Sequence, residues 1–401
     1  MKRKLIAAIL AEICALAAIF YLVNRADEPA VPTWETVPAA TQPPATLPPT
    51  QPPTQPPTQP PTQPRQPEDP VEVLLHRLSL EQKVGQMFLA RCPESGAAEA
   101  VAQYGLGGLL LFGRDFAGET PGTMCAKIQG YQAAATLPLL IAVDEEGGTV
   151  TRVSSYTAFR SSPFASPREL YSQGGMDAVL SAEAEKAQLM AGLGINVNMA
   201  PVCDIATEPG AFMYKRSLGQ SPEITGQFVS GAVRTMQEQG VAAVMKHFPG
   251  YGNNADTHVG IAQDSRSLSE LESRDTQPFY DGIAAGGGAI LVSHNIVEAL
   301  DAQNPASLSP AMHRYLRLAM GFDGVSITDD LSMDAIAKQY GVGEAAVLAV
   351  LAGNDLLCST EYRTQYSAVL DACRSGRIPE ETVNQAVYHV LAWKQSMGIL
   401  F

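Results

Sequence analysis

An Asp-x-His pair, Asp256 and His258, lies within KHFPGYGNNADTHVG, residues 246 to 260. The glycines, asparagines and proline of this stretch favour a loop, because these residues adopt turns and interrupt helices and strands. A carboxylate that accepts a hydrogen bond from one imidazole nitrogen fixes the tautomer of the ring and leaves the other nitrogen for proton transfer. The pair could therefore supply a general acid/base, although a surface contact between Asp and His would give the same local pattern.

Charged and imidazole side chains also follow several apolar runs, which end in AVDEEGG, APVCD, VMKH, LVSH and SITDD. Two of these ends are rich in carboxylates: one carries Asp144, Glu145 and Glu146, and the other carries Asp329 and Asp330. Either acidic end could cap a helix if it stood alone. Together they indicate glycoside hydrolysis by paired carboxylates or a site for a divalent cation.

The elements that would position these residues are eight short apolar runs, which are continuous rather than alternating and are therefore typical of strands buried on both faces. The runs are 86–90, 107–112, 139–143, 196–201, 242–246, 289–293, 324–328 and 355–359. Helical patterns lie between several of them, over 178–193, 222–239 and 344–352. The succession predicts an α/β fold, a (β/α)8 TIM-type barrel, with a doubly wound open sheet as the main alternative. In a barrel, the polar residues that follow the strands would meet on one rim.

The composition limits the classes of partner. The 401 residues include 41 acidic and 27 basic side chains, giving a formal net charge of -14, and no Lys/Arg block occurs beyond the N-terminus. This balance argues against nucleic acid as the main partner. The six cysteines show no zinc-ligand spacing, and a chain of this size does not need a disulfide scaffold. We expect them to be mostly buried thiols.

The N-terminal region predicts export. MKRK precedes LIAAILAEICALAAIFYLV, residues 5–23, which is long and apolar enough to span a bilayer with the basic residues in the cytoplasm. An uncleaved anchor is the main prediction, and a cleaved signal peptide that releases a secreted protein is the alternative. The sequence therefore predicts a membrane segment over 1–28, an extended Pro/Thr/Gln-rich linker over 29–69 and an extracytoplasmic barrel domain over 70–401.

Four motifs carry a resemblance to a known family. AVDEEGGTVTRV, KRSLG, KHFPGYG followed by ADTH, and SITDDLSM resemble, in this order, the motifs of glycoside hydrolase family 3. The similarity is greatest to its bacterial β-N-acetylglucosaminidases, which act on peptidoglycan fragments, and covers roughly residues 75–400. It implies a barrel enzyme that needs no metal or organic cofactor and acts on a glycan containing N-acetylglucosamine. We expect a monomer.

The resemblance also implies a role for each matching residue. Asp329 would be the nucleophile, His258 the acid/base and Asp256 the partner of that histidine. The substrate would be bound by Asp144, Arg152, Arg216, Lys246, His247 and Met333, with Arg216 near the N-acetyl group. The reaction would be a two-step hydrolysis with retention of configuration through a covalent glycosyl-enzyme.

Tyr251 and Asn253 stand where the family usually has His and Asp, which puts the dynamics of the loop and the preference for the leaving group in question. A neutral imidazole would let phosphate approach the intermediate, so a β-glycoside phosphorylase is one alternative, and another β-glycosidase on the same scaffold is a second. Alternatives of other classes are a catalytically impaired module that binds cell-wall glycan and a metal-dependent hydrolase that uses the acids and histidines at the rim. A zinc site on His247, His258 and His294 is a further possibility for such a hydrolase.

Overall fold

A sheet of eight parallel strands is the central element of the structure. The computed structural model describes residues 69–252 and 262–401. The strands are β1 (Phe88–Arg91), β2 (Gly108–Leu111), β3 (Leu140–Val143), β4 (Val197–Asn198), β5 (Ala242–Phe248), β6 (Gln263–Asp264), β7 (Ala289–Val292), β8 (Ile296–Val297), β9 (Val325–Thr328) and β10 (Leu357–Ser359). β6 and β8 form a separate parallel pair. Each of the other strands overlaps one predicted run, so the predicted strand positions are confirmed.

The eight strands close into a barrel. Their order is β10-β1-β2-β3-β4-β5-β7-β9, with parallel pairing between neighbours. The two ends of this order also meet: the Leu356 amide donates to the Ser326 carbonyl and the Thr328 amide donates to the Leu356 carbonyl, both at 3.1 Å. The predicted (β/α)8 barrel is confirmed, and the open doubly wound sheet is wrong because β9 and β10 are not edges.

Helices connect the strands of the barrel. They are α1 (Pro70–Leu75), α2 (Leu80–Gln86), α3 (Ala97–Tyr104), α4 (Gly113–Phe116), α5 (Pro121–Ala134), α6 (Pro167–Leu193), α7 (Pro222–Glu238), α8 (Leu268–Glu270), α9 (Gln277–Ala284), α10 (Pro310–Arg314), α11 (Asp334–Tyr340), α12 (Val342–Ala352), α13 (Tyr362–Arg374) and α14 (Glu380–Ser396). Two π-helical turns, Leu271–Asp275 and Tyr315–Ala319, and a 3-10 turn, Ala306–Leu308, lie between them. The predicted helical patterns fall in α6, α7 and α12.

The start of α6 shows how the sequence sets a helix boundary. The Ser166 hydroxyl accepts a hydrogen bond from the Glu169 amide, and the Glu169 carboxylate accepts the Ser166 amide at 2.9 Å. Pro167 occupies the first helical position, where its missing N–H is not needed. The helix begins well before the predicted pattern of 178–193. Its first part was not predicted because the non-helical pair Gly174 and Gly175 kinks the helix and interrupts its periodicity.

Side chains alternate between two apolar layers along most strands of the barrel. In β1, for example, Leu89 belongs to the cluster that fills the barrel, and Phe88 and Ala90 belong to the cluster between strands and helices. Trp393 of α14 joins the inner cluster. Because both faces of these strands are buried, most of them carry apolar residues on both faces, which explains why they appear in the sequence as largely continuous apolar runs.

Among the described residues, no single helix is long and apolar enough to cross a membrane, and α11 with α12 passes that test only as a pair bent by 101°. The predicted anchor over 1–28 and almost all of the linker over 29–69 lie outside the described residues. The domain boundaries and the anchor therefore stay predictions.

Lys394 of α14 is a fully buried cation whose Nζ donates to Gln86 Oε1 at 2.7 Å. Burial lowers the pKa of Lys394 from 10.5 to about 7. Between these two values the unfolded chain holds a proton that the folded chain has released. The contribution of Lys394 to the free energy of unfolding should therefore increase as the pH rises from about 7 towards 10.5.

We expect Lys394→Met to remove this pH dependence. As the pH rises from about 7 to 9, the wild type should gain stability relative to the variant, by up to about 1.4 kcal/mol per pH unit. Urea denaturation of both proteins across this range measures the difference, in which contributions from other titrating groups cancel. A difference that does not change with pH would contradict the shifted pKa.

Candidate active site

The carboxyl ends of the strands surround a cavity of about 580 Å³. Leu89, Ala142, Val244 and Ile327 point into the barrel, and the residues two positions later on the same chain segments point the same way. These later residues are Arg91, Asp144, Lys246 and Asp329, and all four line the cavity. Arg91 and Lys246 belong to β1 and β5, and Asp144 and Asp329 directly follow β3 and β9. These four strands are every second strand around the barrel. We refer to these four residues as the polar layer.

The floor beneath the polar layer is apolar. It consists of Leu110, Met199, Leu291 and Cys358, which come from the intervening strands or directly follow them. Burial holds the pKa of the Cys358 thiol well above its ordinary value, so this sulfur stays protonated and unreactive at neutral pH. The chemistry of the cavity must therefore come from the polar layer and its neighbours.

A buried cluster of charges joins three of the sequence motifs. Lys246 Nζ lies 2.7 Å from Asp144 Oδ1 and 2.6 Å from Glu146 Oε1. Arg216 donates to Glu146 through both arms of its guanidinium, from Nε at 2.8 Å and from Nη2 at 2.6 Å. Glu146 is 2% exposed. This carboxylate therefore fixes the two cations that line the cavity on the β5 side.

The charges of the cluster keep one another ionised. Burial would raise the pKa of Glu146, but Arg216 and Lys246 hold it well below its ordinary value. Burial would lower the pKa of Lys246, but Asp144 and Glu146 raise it above its ordinary value. At neutral pH the cavity therefore presents a charged ammonium and a charged guanidinium, both suited to donate hydrogen bonds to sugar oxygens.

Asp204 fixes the tautomer of His247. Its Oδ2 lies 2.8 Å from His247 Nδ1, and its Oδ1 accepts the Tyr251 amide at 2.7 Å. Because a carboxylate only accepts, Nδ1 carries the hydrogen, and Nε2, 3.1 Å from Arg216 Nη2, accepts from the guanidinium. The peptide bond between Lys246 and His247 is cis, and both side chains line the cavity.

We expect Asp204→Asn to lower kcat/KM for the N-acetylglucosaminide that the sequence implies by about 10- to 100-fold, the effect of a mispaired buried hydrogen bond. The new amide N–H would face Nδ1, so the imidazole hydrogen would move to Nε2 and oppose the donating Arg216. Initial rates over a range of substrate concentrations measure the loss. Asp301→Asn, which changes a carboxylate outside the cavity that accepts hydrogen bonds from residues 303, 304 and 309, is the matched control. Equal kinetics of the two variants would contradict this role.

The connection from β3 to α6 returns Arg152 to the cavity. Glu145 is fully buried, and its Oε2 accepts the amides of Arg152 and the next residue at 2.8 and 2.7 Å. Arg152 Nη2 then lies 3.9 Å from Asp144 Oδ2. Glu145 therefore has a structural role, because its carboxylate holds the backbone that carries Arg152.

Gly147 is required by the turn after β3. It has φ +98°, and a Cβ there would lie 2.3 Å from a backbone carbonyl oxygen, so only glycine fits this turn.

The two adjacent acids after β9 have different surroundings. The Asp330 carboxylate accepts the Thr360 hydroxyl at 2.5 Å and the Ser332 amide at 2.9 Å. Asp329 is held by its amide, which donates to the Val292 carbonyl at 3.0 Å, and its Oδ1 accepts the Asp330 amide at 2.9 Å. Asp330 therefore stabilises the turn that orients Asp329 in the polar layer.

His294 is fully buried and supports the same turn. Its ring nitrogens lie 2.7 Å from the Ser307 hydroxyl and 3.1 Å from the Asp330 carbonyl oxygen. Within residues 69–252 and 262–401, no group of three or more His, Cys, Asp or Glu side chains is placed to hold a metal ion. The third histidine of the zinc hypothesis, His258, lies outside these ranges.

Apolar side chains form part of the wall. Phe112, Phe212 and Met333 line the cavity. Tyr251, which stands where the family usually has His, is 1% exposed, and its ring lies 5.6 Å from that of Phe212. The substitution therefore places a buried aromatic side chain directly behind the wall of the cavity.

Asp256 and His258 lie in the segment 253–261, outside the described residues, but the flanks of this segment are bound to each other. Arg266, after the segment, donates from Nη2 to the carbonyl of Gly250, before it, at 3.0 Å. The same guanidinium is held by Asp264 at 2.8 Å and by Asp275 at 2.6 Å. The described residues on the two sides of the segment thus lie close to each other, and the roles of Asp256 and His258 stay predictions.

The structure brings the other sequence-predicted site residues together around one cavity. They are Asp144, Arg152, Arg216, Lys246, His247, Asp329 and Met333. The sequence reasoning missed Arg91, Glu146 and Asp204 as members of the site. Glu146 and Asp204 belong to the acidic motifs VDEEGG and APVCD, which could have indicated their place in the site. Arg91 directly follows the predicted run 86–90, and a solvent-exposed arginine would give the same pattern.

Comparison with known sequences gives consistent matches. The model of the family described as "Glycosyl hydrolase family 3 N terminal domain" matches residues 79–393. Beta-hexosaminidase LpqI of Mycobacterium tuberculosis is 31% identical over 330 residues, which cover 79% of this chain and 83% of that protein. A beta-hexosaminidase of Stenotrophomonas maltophilia is 37% identical over 263 residues, which cover 63% and 76% of the two chains.

Comparison with solved structures agrees. A glycoside hydrolase family 3 beta-N-acetylglucosaminidase from Paenibacillus sp. superposes with a TM-score of 0.75 at 34% sequence identity. The superposition covers 80% of this chain and 63% of that protein, so this chain spans less than two thirds of that longer relative. The barrel fold is thus similar to that of a solved enzyme of known family.

Proposed function

The chain belongs to glycosyl hydrolase family 3, and on this premise we propose that it is a retaining β-N-acetylglucosaminidase. The relatives named beta-hexosaminidase and the neighbour named beta-N-acetylglucosaminidase support β-N-acetylhexosaminidase activity. The observation that carries the proposal is the polar layer, in which the Asp329 carboxylate stands across the barrel from Asp144, which is paired with Lys246. The substrates would be glycans with terminal β-linked N-acetylglucosamine, including fragments of peptidoglycan.

The sugar ring lies above the polar layer in this proposal. Asp144 accepts hydrogen bonds from hydroxyl groups, and Lys246 and Arg216 donate to sugar oxygens, with the acetamido group on the Arg216 side. The roles of the two cations are supported by their position, since the Glu146 carboxylate holds both Lys246 and Arg216 at 2.6 Å. Since these side chains are fixed before substrate arrives, binding would cost little side-chain entropy.

The reaction proceeds in two displacements at the anomeric carbon. In the first, an Asp329 oxygen forms a bond to C1 as the bond to the leaving-group oxygen breaks, and His258 gives that oxygen a proton. In the second, a water oxygen bonds to C1, the bond to Asp329 breaks, and His258 takes the water proton. Two inversions give net retention. No cofactor takes part in these steps.

We also propose that the enzyme works outside the cytoplasm as a monomer, anchored by residues 5–23 and held away from the membrane by the linker of 29–69. The support is the sequence itself: an apolar segment after MKRK, followed by a Pro-rich stretch that favours extended polyproline II structure. Fractionation of cells into membrane, periplasmic or medium, and cytoplasmic samples tests this placement.

The activity is tested with the purified full-length chain and 4-nitrophenyl β-N-acetylglucosaminide, with the released sugar followed by proton NMR. The proposal predicts nitrophenol release that survives EDTA and a β-anomer as the first sugar product. A first product with the α configuration would contradict the double displacement. Sugar 1-phosphate formed in phosphate buffer would favour the phosphorylase alternative, and no release would favour a binding module or another sugar.

A further inference from the structure

Arg91 is the fourth member of the polar layer and has no place in the steps above. It ends β1, two strands from β9 and two strands from β3 around the barrel. Its guanidinium carbon lies 4.3 Å from the centroid of the Phe112 ring, a stacking distance. Its Nε is buried and has no hydrogen-bond partner among the described residues. A stacked, oriented guanidinium thus faces the cavity with unused donors.

Arg91 differs in this respect from the other arginine and lysine side chains that line the cavity. Lys246 and Arg216 have a carboxylate at 2.6 Å, and Arg152 has one at 3.9 Å. Within residues 69–252 and 262–401, Arg91 forms no ion pair. An arginine keeps its charge at any physiological pH and matches oxyanions with two parallel donors. Its surroundings therefore leave room for an anionic group supplied by a ligand.

The geometry of the polar layer indicates which part of the sugar reaches Arg91, and this step rests on the proposed function. Asp329 must lie beneath C1, and Asp144 stands on the opposite strand, where C4 of the ring would lie. One edge of the ring, C2 and C3, carries two hydrogen-bonding substituents. The other edge, C5 with C6 and the ring oxygen, carries a CH, a CH₂ and a single exocyclic oxygen.

The two remaining sides of the cavity differ in the same way. The β5 side offers the polar cluster of Lys246, His247 and Arg216, which suits the edge with two polar substituents. The β1 side offers the face of Phe112 and the cation of Arg91, which suits the edge with apolar carbons and one exocyclic oxygen. C6 and its substituent would then lie at Arg91.

We propose that Arg91 and Phe112 form a subsite for the C6 substituent that accepts an oxyanion there, so that N-acetylhexosaminides bearing a charged group on C6, such as a sulfate ester, are substrates. Phe112 holds the guanidinium plane, and Arg91 supplies the charge and two donors. Arg152 reinforces the positive potential, since its guanidinium carbon lies 5.5 Å from the centroid of the same ring.

The test compares two chromogenic substrates, 4-nitrophenyl β-N-acetylglucosaminide and its 6-O-sulfate, on the full-length chain and on Arg91→Gln and Arg91→Lys. The wild type should hydrolyse both substrates. Arg91→Gln should lower kcat/KM for the sulfate by about 10- to 100-fold, the loss typical of a charged hydrogen bond, and for the neutral sugar by only about threefold. Arg91→Lys should recover part of the activity on the sulfate, because it keeps the charge.

The ratio of the two kcat/KM values is the readout, so a variant that is partly unfolded cannot imitate the result. Arg374→Gln, which changes an exposed arginine of α13, should leave the ratio as it is in the wild type. A wild type that hydrolyses the neutral sugar but not the sulfate would overturn the proposal, as would equal losses on both substrates in Arg91→Gln. Failure of the wild type on the neutral sugar would instead contradict the proposed function.

Discussion

Asp329→Asn is expected to remove nearly all turnover, with kcat on an activated aryl glycoside falling by at least about 10⁴-fold. The amide has the shape of the carboxylate, and its oxygen can still accept the Asp330 amide that holds the side chain in place. It cannot form the covalent bond to C1 on which both displacements depend. Initial rates of nitrophenol release, together with circular dichroism to establish that the variant is folded, measure the effect.

The adjacent acid provides a matched control, because Asp330→Asn makes the same chemical change one residue away. The Asp330 carboxylate accepts hydrogen bonds from Thr360 and Ser332, so its loss should loosen the turn and cost about 1–3 kcal/mol of stability. We expect kcat to fall by less than about tenfold. A larger loss of activity in Asp330→Asn than in Asp329→Asn would reverse the assignment.

Glu146→Gln is expected to destabilise the fold by about 3–5 kcal/mol, the usual result of removing one partner from a buried ion pair. The variant leaves the Lys246 ammonium and the Arg216 guanidinium beside each other with one carboxylate, Asp144, where there were two. The two cations should then separate, so KM for the sugar should rise as well. Urea denaturation gives the change in free energy of unfolding, and substrate kinetics give KM.

Glu94→Gln is the control for this prediction. Glu94 is 79% exposed and pairs with Arg114 at the surface, so its removal should cost no more than about 1 kcal/mol and should not alter KM. Equal stability changes in the two variants would mean that burial of the Glu146 cluster contributes nothing. A destabilised Glu146→Gln protein with unchanged KM would separate the structural role of the cluster from substrate binding.

The barrel was predictable because its strands are buried on both faces. Such strands must be apolar without alternation, and in a parallel barrel the polar residues that follow them all emerge at one rim. The acids of AVDEEGG and SITDD and the Lys-His pair of VMKH could therefore be placed together from the sequence alone. The pairing of β6 with β8 was not predictable, because strands of two residues carry no periodic pattern.

The division of work among neighbouring charged residues could not be predicted from the sequence. Asp144, Glu145 and Glu146 are consecutive acids, yet the first lines the cavity, the second fixes a turn and the third pairs with two cations. Only the direction of each side chain separates these roles, and the chain leaves β3 at this point, so strand alternation no longer sets that direction. For the same reason the motif APVCD indicates that Asp204 is a strand-end acid but not that it is the partner of His247.

The proposed double displacement requires that Asp329 becomes covalently bound to the sugar. The most direct measurement uses a fluorinated N-acetylglucosaminyl fluoride, which forms the glycosyl-enzyme faster than water removes it, followed by intact-protein mass spectrometry and peptide mapping of the full-length chain. We expect a mass increase of one fluorinated sugar, located on Asp329 and absent from Asp329→Asn. A label on another residue would contradict the assignment, and full turnover with inversion and no covalent species would contradict the mechanism itself.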